Sequence, residues 1–209
     1  MIISLIEILE VALLVLSAII LHEYAHGWMA YRLGDPTAML AGRLSLNPLK
    51  HIDLVGTILL PGALLALRLM GHETFIFGWA KPVPVNFSQL RHPKRDVIWV
   101  GLAGPAINIL LAIFFAAILH SGVLRGSEDI LTLAVFINLL LAAFNMVPIP
   151  PLDGSRLVIG LLPAPYDRMY ARLERYGILI VFVLLYLGAF ELIVMPVIQI
   201  LGRLLGVEF

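Results

Sequence analysis

Five consecutive residues, His22-Glu23-Tyr24-Ala25-His26, carry the side chains best suited to chemistry in this sequence. In a helix, His22 and His26 are four residues apart and project from one face, one turn from each other. That spacing lets two imidazole nitrogens bind one zinc ion. Glu23 is the next residue round the helix from His22, where its carboxylate can take a proton from a metal-bound water as a general base. The pattern is short and arises by chance in many soluble helices. Here it lies in a run that is almost wholly apolar, from Ile2 to Tyr31. Ionisable side chains at membrane depth are costly and persist where partners hold them, so metal binding is the expectation. One extended zinc motif adds a Gly and a third His, but Met29 and Arg32 occupy those places. A third ligand must come from elsewhere in the chain.

The segment best able to supply it follows another apolar span. Ile130 to Met146 reads as a membrane helix with Asn138 and Asn145 as its polar residues. It runs into Pro148-Ile149-Pro150-Pro151-Leu152-Asp153-Gly154. Three prolines cannot continue a helix, and non-helical backbone at membrane depth is tolerated where protein or a watery cavity covers it. The segment therefore reads as a wall of the site, with Asp153 as the third ligand rather than a simple turn residue before glycine. Asn108, within the apolar span Val97–His120, either bonds a neighbouring helix or faces the site.

The elements that must position these residues follow from composition. Hydrophobic residues make up 61% of the 209 and charged residues 13%, against roughly 45–50% and about 25% in soluble domains. With a mean hydropathy of +0.99, this is a polytopic membrane protein. The formal net charge is zero, which points to no nucleic-acid partner. There is no cysteine, so disulfides and thiolate metal sites are excluded. The N-terminus carries Glu7 and Glu10 and no basic region, unlike a signal peptide.

Four stretches read as spans: 2–33, 97–120, 130–146 and 177–201. Val55–Met70 is apolar but short and broken by Pro61-Gly62, so it reads as re-entrant or interfacial. Ala38 to Leu46 reads as a small extended or β element beside the site, able to pair with a substrate backbone. Phe75–Asn86 reads as a loop or small hairpin, and His51 and Asp53 as solvated loop residues. The expected fold is thus an all-α membrane bundle of about four clear spans, plus the short apolar segment and the extended element.

Topology follows from parity. His22, His26 and Asp153 all lie toward the C-terminal ends of their spans, so they meet at one depth only if those spans run parallel. One crossing between them, by residues 97–120, satisfies this. Twelve of the fourteen Lys and Arg residues, from Arg32 to Arg175 with Arg125 excepted, then fall on one face. That face is cytoplasmic by the positive-inside rule. The N-terminus is then outside, and the metal lies toward the cytoplasmic side of a cell membrane.

Three motifs together resemble the site-2 protease family. They are His22-Glu23-x-x-His26, Gly104-Pro105-x-x-Asn108 and Asn145-x-x-Pro148-x-Pro150-x-Leu152-Asp153-Gly154. The resemblance covers about residues 10 to 160 and implies a zinc intramembrane protease, in a minimal form without PDZ or appended regulatory domain. It implies that His22, His26 and Asp153 hold one zinc ion and that Glu23 is the catalytic base. Asn145 matches a position thought to assist substrate binding or the oxyanion, and Asn108 matches a helper position. It also implies single-span membrane proteins as substrates, and residues 1–209 as one integral-membrane protease domain. The rival readings are a membrane metal-binding or transport protein and an inactive substrate-binding homologue. Transport predicts polar groups at several depths, whereas here they gather around one site.

Overall fold

In a computed structural model, residues 5–72, 78, 80–188 and 190–209 are described. Helix α1, Leu5–Arg32, is apolar almost throughout. It stops at Gly34, whose φ of 112° lies in the left-handed region that a side chain would disfavour. Asp35 and Pro36 then turn the chain into the single-turn helix α2, Thr37–Leu40. Asp35 is fully buried. Its Oδ1 accepts from the Thr37 amide at 2.9 Å and its Oδ2 from the Asn86 amide at 2.6 Å, tying the end of α1 to a distant loop.

Among the described residues no strand forms, which corrects the expected extended element. The stretch opens as α2 and continues irregularly, because side chains rather than a neighbouring strand satisfy its backbone. The Lys50 ammonium donates to the Gly42 carbonyl at 2.8 Å, and His51 Nε2 donates to the Ser45 carbonyl at 2.7 Å. His51 is accordingly buried, not solvated. Asp53 caps the next segment, accepting from the Val55 and Gly56 amides at 3.1 and 2.7 Å. That segment is a π-helical turn, Leu54–Leu59, running into α3, Leu60–Leu69. Together they fall short of a full crossing. Of the expected Phe75–Asn86 loop, residues 75–77 and 79 lie outside the described residues, and 80–86 run without regular structure up to a single 3-10 turn, Phe87–Gln89.

Helix α4, Pro93–Ser121, is the central element, packed by α1, α5 and α6. Proline at its first position lacks the N–H that would go unbonded there. The Asp96 carboxylate accepts the His92 amide at 2.8 Å, closing the helix start. The helix ends at Gly122 with φ 64°. Helix α5, Glu128–Asn145, ends where the proline-rich turn begins. Then follow α6 (Gly154–Leu161), α7 (Tyr166–Ala171), α8 (Gly177–Tyr186) and α9 (Met195–Leu204).

Small residues draw the helices together. Ala112 and Ala116 of α4 meet Val135 and Leu139 of α5 and Ile198 of α9 in the main buried cluster. The outward faces stay apolar: Leu13 is 57%, Leu110 60% and Phe114 57% exposed. In water such surface would be unfavourable, and in a bilayer it is the solvent-facing side. Helices 9–32, Pro93–Ser121 and Glu128–Asn145 are long and apolar enough to cross. The final apolar run, 177–201, reads as one span in the sequence. There the helical stretches 166–186 and 190–204 meet at 81°, and counted as one crossing this bent pair brings the total to four.

Candidate metal centre

Helix periodicity brings His22 and His26 onto the face of α1 that meets α4. Both are buried. Their Nε2 atoms stand 3.0 Å apart, and Asp153 Oδ2 lies 3.0 Å from His22 Nε2 and 3.1 Å from His26 Nε2. The three candidate ligand atoms therefore converge from α1 and from the turn after α5, residues separated by more than a hundred positions in sequence.

The opposite ring nitrogens are also engaged. His22 Nδ1 donates to Asn108 Oδ1 at 2.6 Å, and His26 Nδ1 donates to the Val100 carbonyl at 2.6 Å. With both protons on Nδ1, the two Nε2 lone pairs and a carboxylate oxygen face one another across about 3 Å. Three electron-rich atoms repel unless a cation lies between them. Donors on one tetrahedral zinc, each at about 2.0–2.1 Å, stand roughly 3.3 Å apart. The donor types, spacing and tautomers fit zinc.

Glycines allow this convergence. A Cβ on Gly104 would lie 2.3 Å from His26 Nε2 and 2.6 Å from His22 Nε2, filling the space between α4 and the ligands. A Cβ on Gly101 would lie 3.0 Å from the Asp153 carbonyl oxygen, where α6 approaches α4. A Cβ on Gly154 would lie 2.3 Å from the Met146 carbonyl, so the proline turn closes onto itself only with glycine there. Depths agree as well. His22 is ten residues before the end of α1 and Gly104 eleven after the start of α4, about 15 and 16 Å along two antiparallel helices.

Glu23 sits beside this group, half-buried, with Oε2 accepting the Val83 amide at 2.8 Å. Val83 belongs to the irregular stretch 80–86, which Arg43 holds through the Lys81 carbonyl at 2.6 Å and the Pro82 carbonyl at 3.2 Å. Pro82 and Pro84 flank Val83 and carry no N–H. The Val83 amide is thus the one donor of these three residues, and it is spent on Glu23.

The two asparagines differ. Asn108 is fully buried behind His22, its amide donating to Asn138 Oδ1 at 2.9 Å and to the Ala18 carbonyl at 3.4 Å. These bonds occupy its amide nitrogen toward α1 and α5, while its oxygen meets His22. Asn145 is half-buried and donates to the Leu141 carbonyl of its own helix at 3.0 Å, one turn back from the loop that carries Asp153. Sequence reading missed the Val100 carbonyl, the Val83 amide and Asn138. The first two act through backbone atoms, for which side-chain identity leaves no mark. Asn138 was visible as a polar residue in an apolar span, without a sign of its partner.

Apolar helices long enough to cross a membrane thus enclose a His-His-Asp group that could hold a metal ion, with the Glu23 carboxylate beside it. The chain belongs to peptidase family M50, whose model matches residues 10–126 and 118–188. It is 36% identical over 174 residues to YwhC of Bacillus subtilis, named as a candidate zinc metalloprotease, covering 78% of this chain and 74% of that one. It is 30% identical over 177 residues to Rip2 of Mycolicibacterium smegmatis, named likewise, covering 81% of this chain and 64% of Rip2. A shorter match, 29% over 76 residues, joins it to the zinc metalloprotease MJ0392 of Methanocaldococcus jannaschii, over 35% of this chain and 22% of that protein. No solved structure matches. The chain is therefore a zinc-dependent protease of the membrane.

Proposed function

We propose that His22, His26 and Asp153 hold the zinc and that Glu23 is the general base of an endopeptidase that cuts single-span membrane proteins within or beside the bilayer. The observation that carries this reading is the meeting of the two Nε2 atoms and Asp153 Oδ2 at 3.0–3.1 Å, with both Nδ1 protons already given away. Zinc bound there supplies Lewis acidity toward a peptide carbonyl and lowers the pKa of a water to about 7.

The side chains do the rest. Asp153 contributes the negative charge of the ligand set. The Val83 amide fixes one oxygen of Glu23, which leaves Oε1 to take the proton of the attacking water and return it to the leaving amine. Asn145 ends α5, just before the turn that carries Asp153. Rotated off the Leu141 carbonyl, it steadies substrate or the developing oxyanion. A substrate helix hides its carbonyls in its own hydrogen bonds, so it must unwind before it is cut. The whole of 1–209 acts as one protease domain, with the N-terminus outside and the site toward the cytoplasmic face of the cell membrane.

The test is cleavage of a panel of single-span substrates by purified protein, with Glu23→Gln alongside and zinc measured in both. Wild type should cleave, and Glu23→Gln should retain zinc while losing at least about a hundredfold in rate. Loss of zinc from Glu23→Gln would make Glu23 a ligand and remove the base assignment.

A further inference from the structure

Asn138 makes its side-chain hydrogen bonds to Ala134 and Asn108, not to the metal group. It is 2% exposed in the middle of α5. Its side-chain nitrogen donates to the Ala134 carbonyl at 2.9 Å, one turn back in the same helix. A backbone carbonyl can only accept, so this bond fixes which end of the Asn138 amide is which. Oδ1 must then point the other way, where it accepts from Asn108 Nδ2 at 2.9 Å. The Ala18 carbonyl of α1, also an acceptor, receives the same nitrogen at 3.4 Å. With its NH2 end committed twice, Asn108 can present only its oxygen to His22, at 2.6 Å from Nδ1. An oxygen there demands a proton on Nδ1 and leaves the lone pair on Nε2, the atom that faces Asp153 at 3.0 Å.

We propose that Asn138 is a positioning residue for the metal. It forms the far end of a one-directional hydrogen-bond chain, Ala134 carbonyl to Asn138 to Asn108 to His22, which fixes the tautomer of a zinc ligand from another helix. Polarity runs along the chain without a free choice at any link. Without Asn138, the Asn108 amide keeps only the longer bond to Ala18 and can turn over. Its NH2 then meets His22 Nδ1, which favours the wrong tautomer. The chain also crosses α5, α4 and α1, so it ties the helix that leads to Asp153 to the helix that carries both imidazoles. Partners behind a metal-bound imidazole are typically worth roughly 10–100-fold in metal affinity. The contrast with His26 is informative: its Nδ1 proton goes directly to a backbone carbonyl, which needs no second residue to orient it.

This inference rests on the ligand assignment above, and the experiment separates the two. Zinc affinity is measured by chelator competition on the purified full chain in detergent, for wild type, Asn138→Leu, Asn138→Asp and Asp153→Ala. Asn138→Leu is close in size but cannot accept from Asn108, and it should weaken zinc by roughly 10–100-fold. Asn138→Asp, buried and protonated, can still donate its O–H to the Ala134 carbonyl and accept from Asn108 with its other oxygen, so it should recover most of that loss. A purely structural role would lower the unfolding temperature of both variants without this split. Wild-type affinity in Asn138→Leu, or equal losses in both variants, overturns the proposal. If Asn138→Leu does not purify as a folded protein, Asn138→Ala gives the same reading. Undiminished zinc affinity in Asp153→Ala would instead count against the ligand assignment.

Discussion

The proposed ligand atoms are held by what lies behind them as much as by their own identities. Each imidazole has one nitrogen aimed at Asp153 and the other bonded to an acceptor, Asn108 for His22 and the Val100 carbonyl for His26. That leaves little tolerance on the α4 side. Gly104→Ala would put a methyl 2.3 Å from His26 Nε2, far inside contact distance, and the helix cannot retreat without losing its packing on α1 and α5. Zinc content should fall well below one ion per chain in a protein that still purifies as a folded species. Full zinc loading of Gly104→Ala would show that the two helices lie further apart than described here.

At the scale of elements, the site depends on a loop that contributes no side chain to it. The 80–86 stretch reaches Glu23 through a backbone amide, and Asp35 and Arg43 hold that stretch in place. Asp35→Ala leaves the Thr37 and Asn86 amides without their acceptor and should cost about 1–3 kcal/mol. This would be read as a lower unfolding temperature in detergent with faster protease cleavage near residues 80–86. An unchanged melting curve would contradict the clamp. The helices were largely legible in the sequence because hydrophobic run length and proline positions mark a bilayer-crossing helix directly. The spans read at 97–120 and 130–146 match α4, 93–121, and α5, 128–145, with Met146 just past the end of α5. The Asp153 turn was legible for the same reason, since three prolines must end α5. The conformation of 38–46 was not, because alternation such as Arg43-Leu44-Ser45-Leu46 yields a strand only where another strand can pair with it, and Ala38, Met39 and Leu40 are good helix formers that join α2. Nor was the bend between 166–186 and 190–204, which depends on packing rather than on apolar content. The partners of Asn108 and Asn138 were hidden too, because an isolated polar residue in a span does not indicate which neighbour it meets.

At the scale of the whole molecule, three helices of sufficient length cross with α1 and α5 parallel and α4 reversed, which brings residues 22, 26 and 153 to one depth. The proposed orientation puts Ser88 on the cytoplasmic side and Arg125 outside, both exposed and on connections between helices. The chain has no cysteine, so a single introduced thiol reports its own position. A membrane-impermeant maleimide should label Arg125→Cys in intact cells and Ser88→Cys only after permeabilisation. The reverse pattern would invert the molecule without altering the site.

If two imidazoles and one carboxylate from this chain hold a single zinc ion, X-ray absorption at the zinc edge on the purified, zinc-loaded protein should show two imidazole nitrogens and oxygen donors, all at about 2.0–2.2 Å. A spectrum with one imidazole or none would contradict it, because His22 and His26 could not then both be ligands.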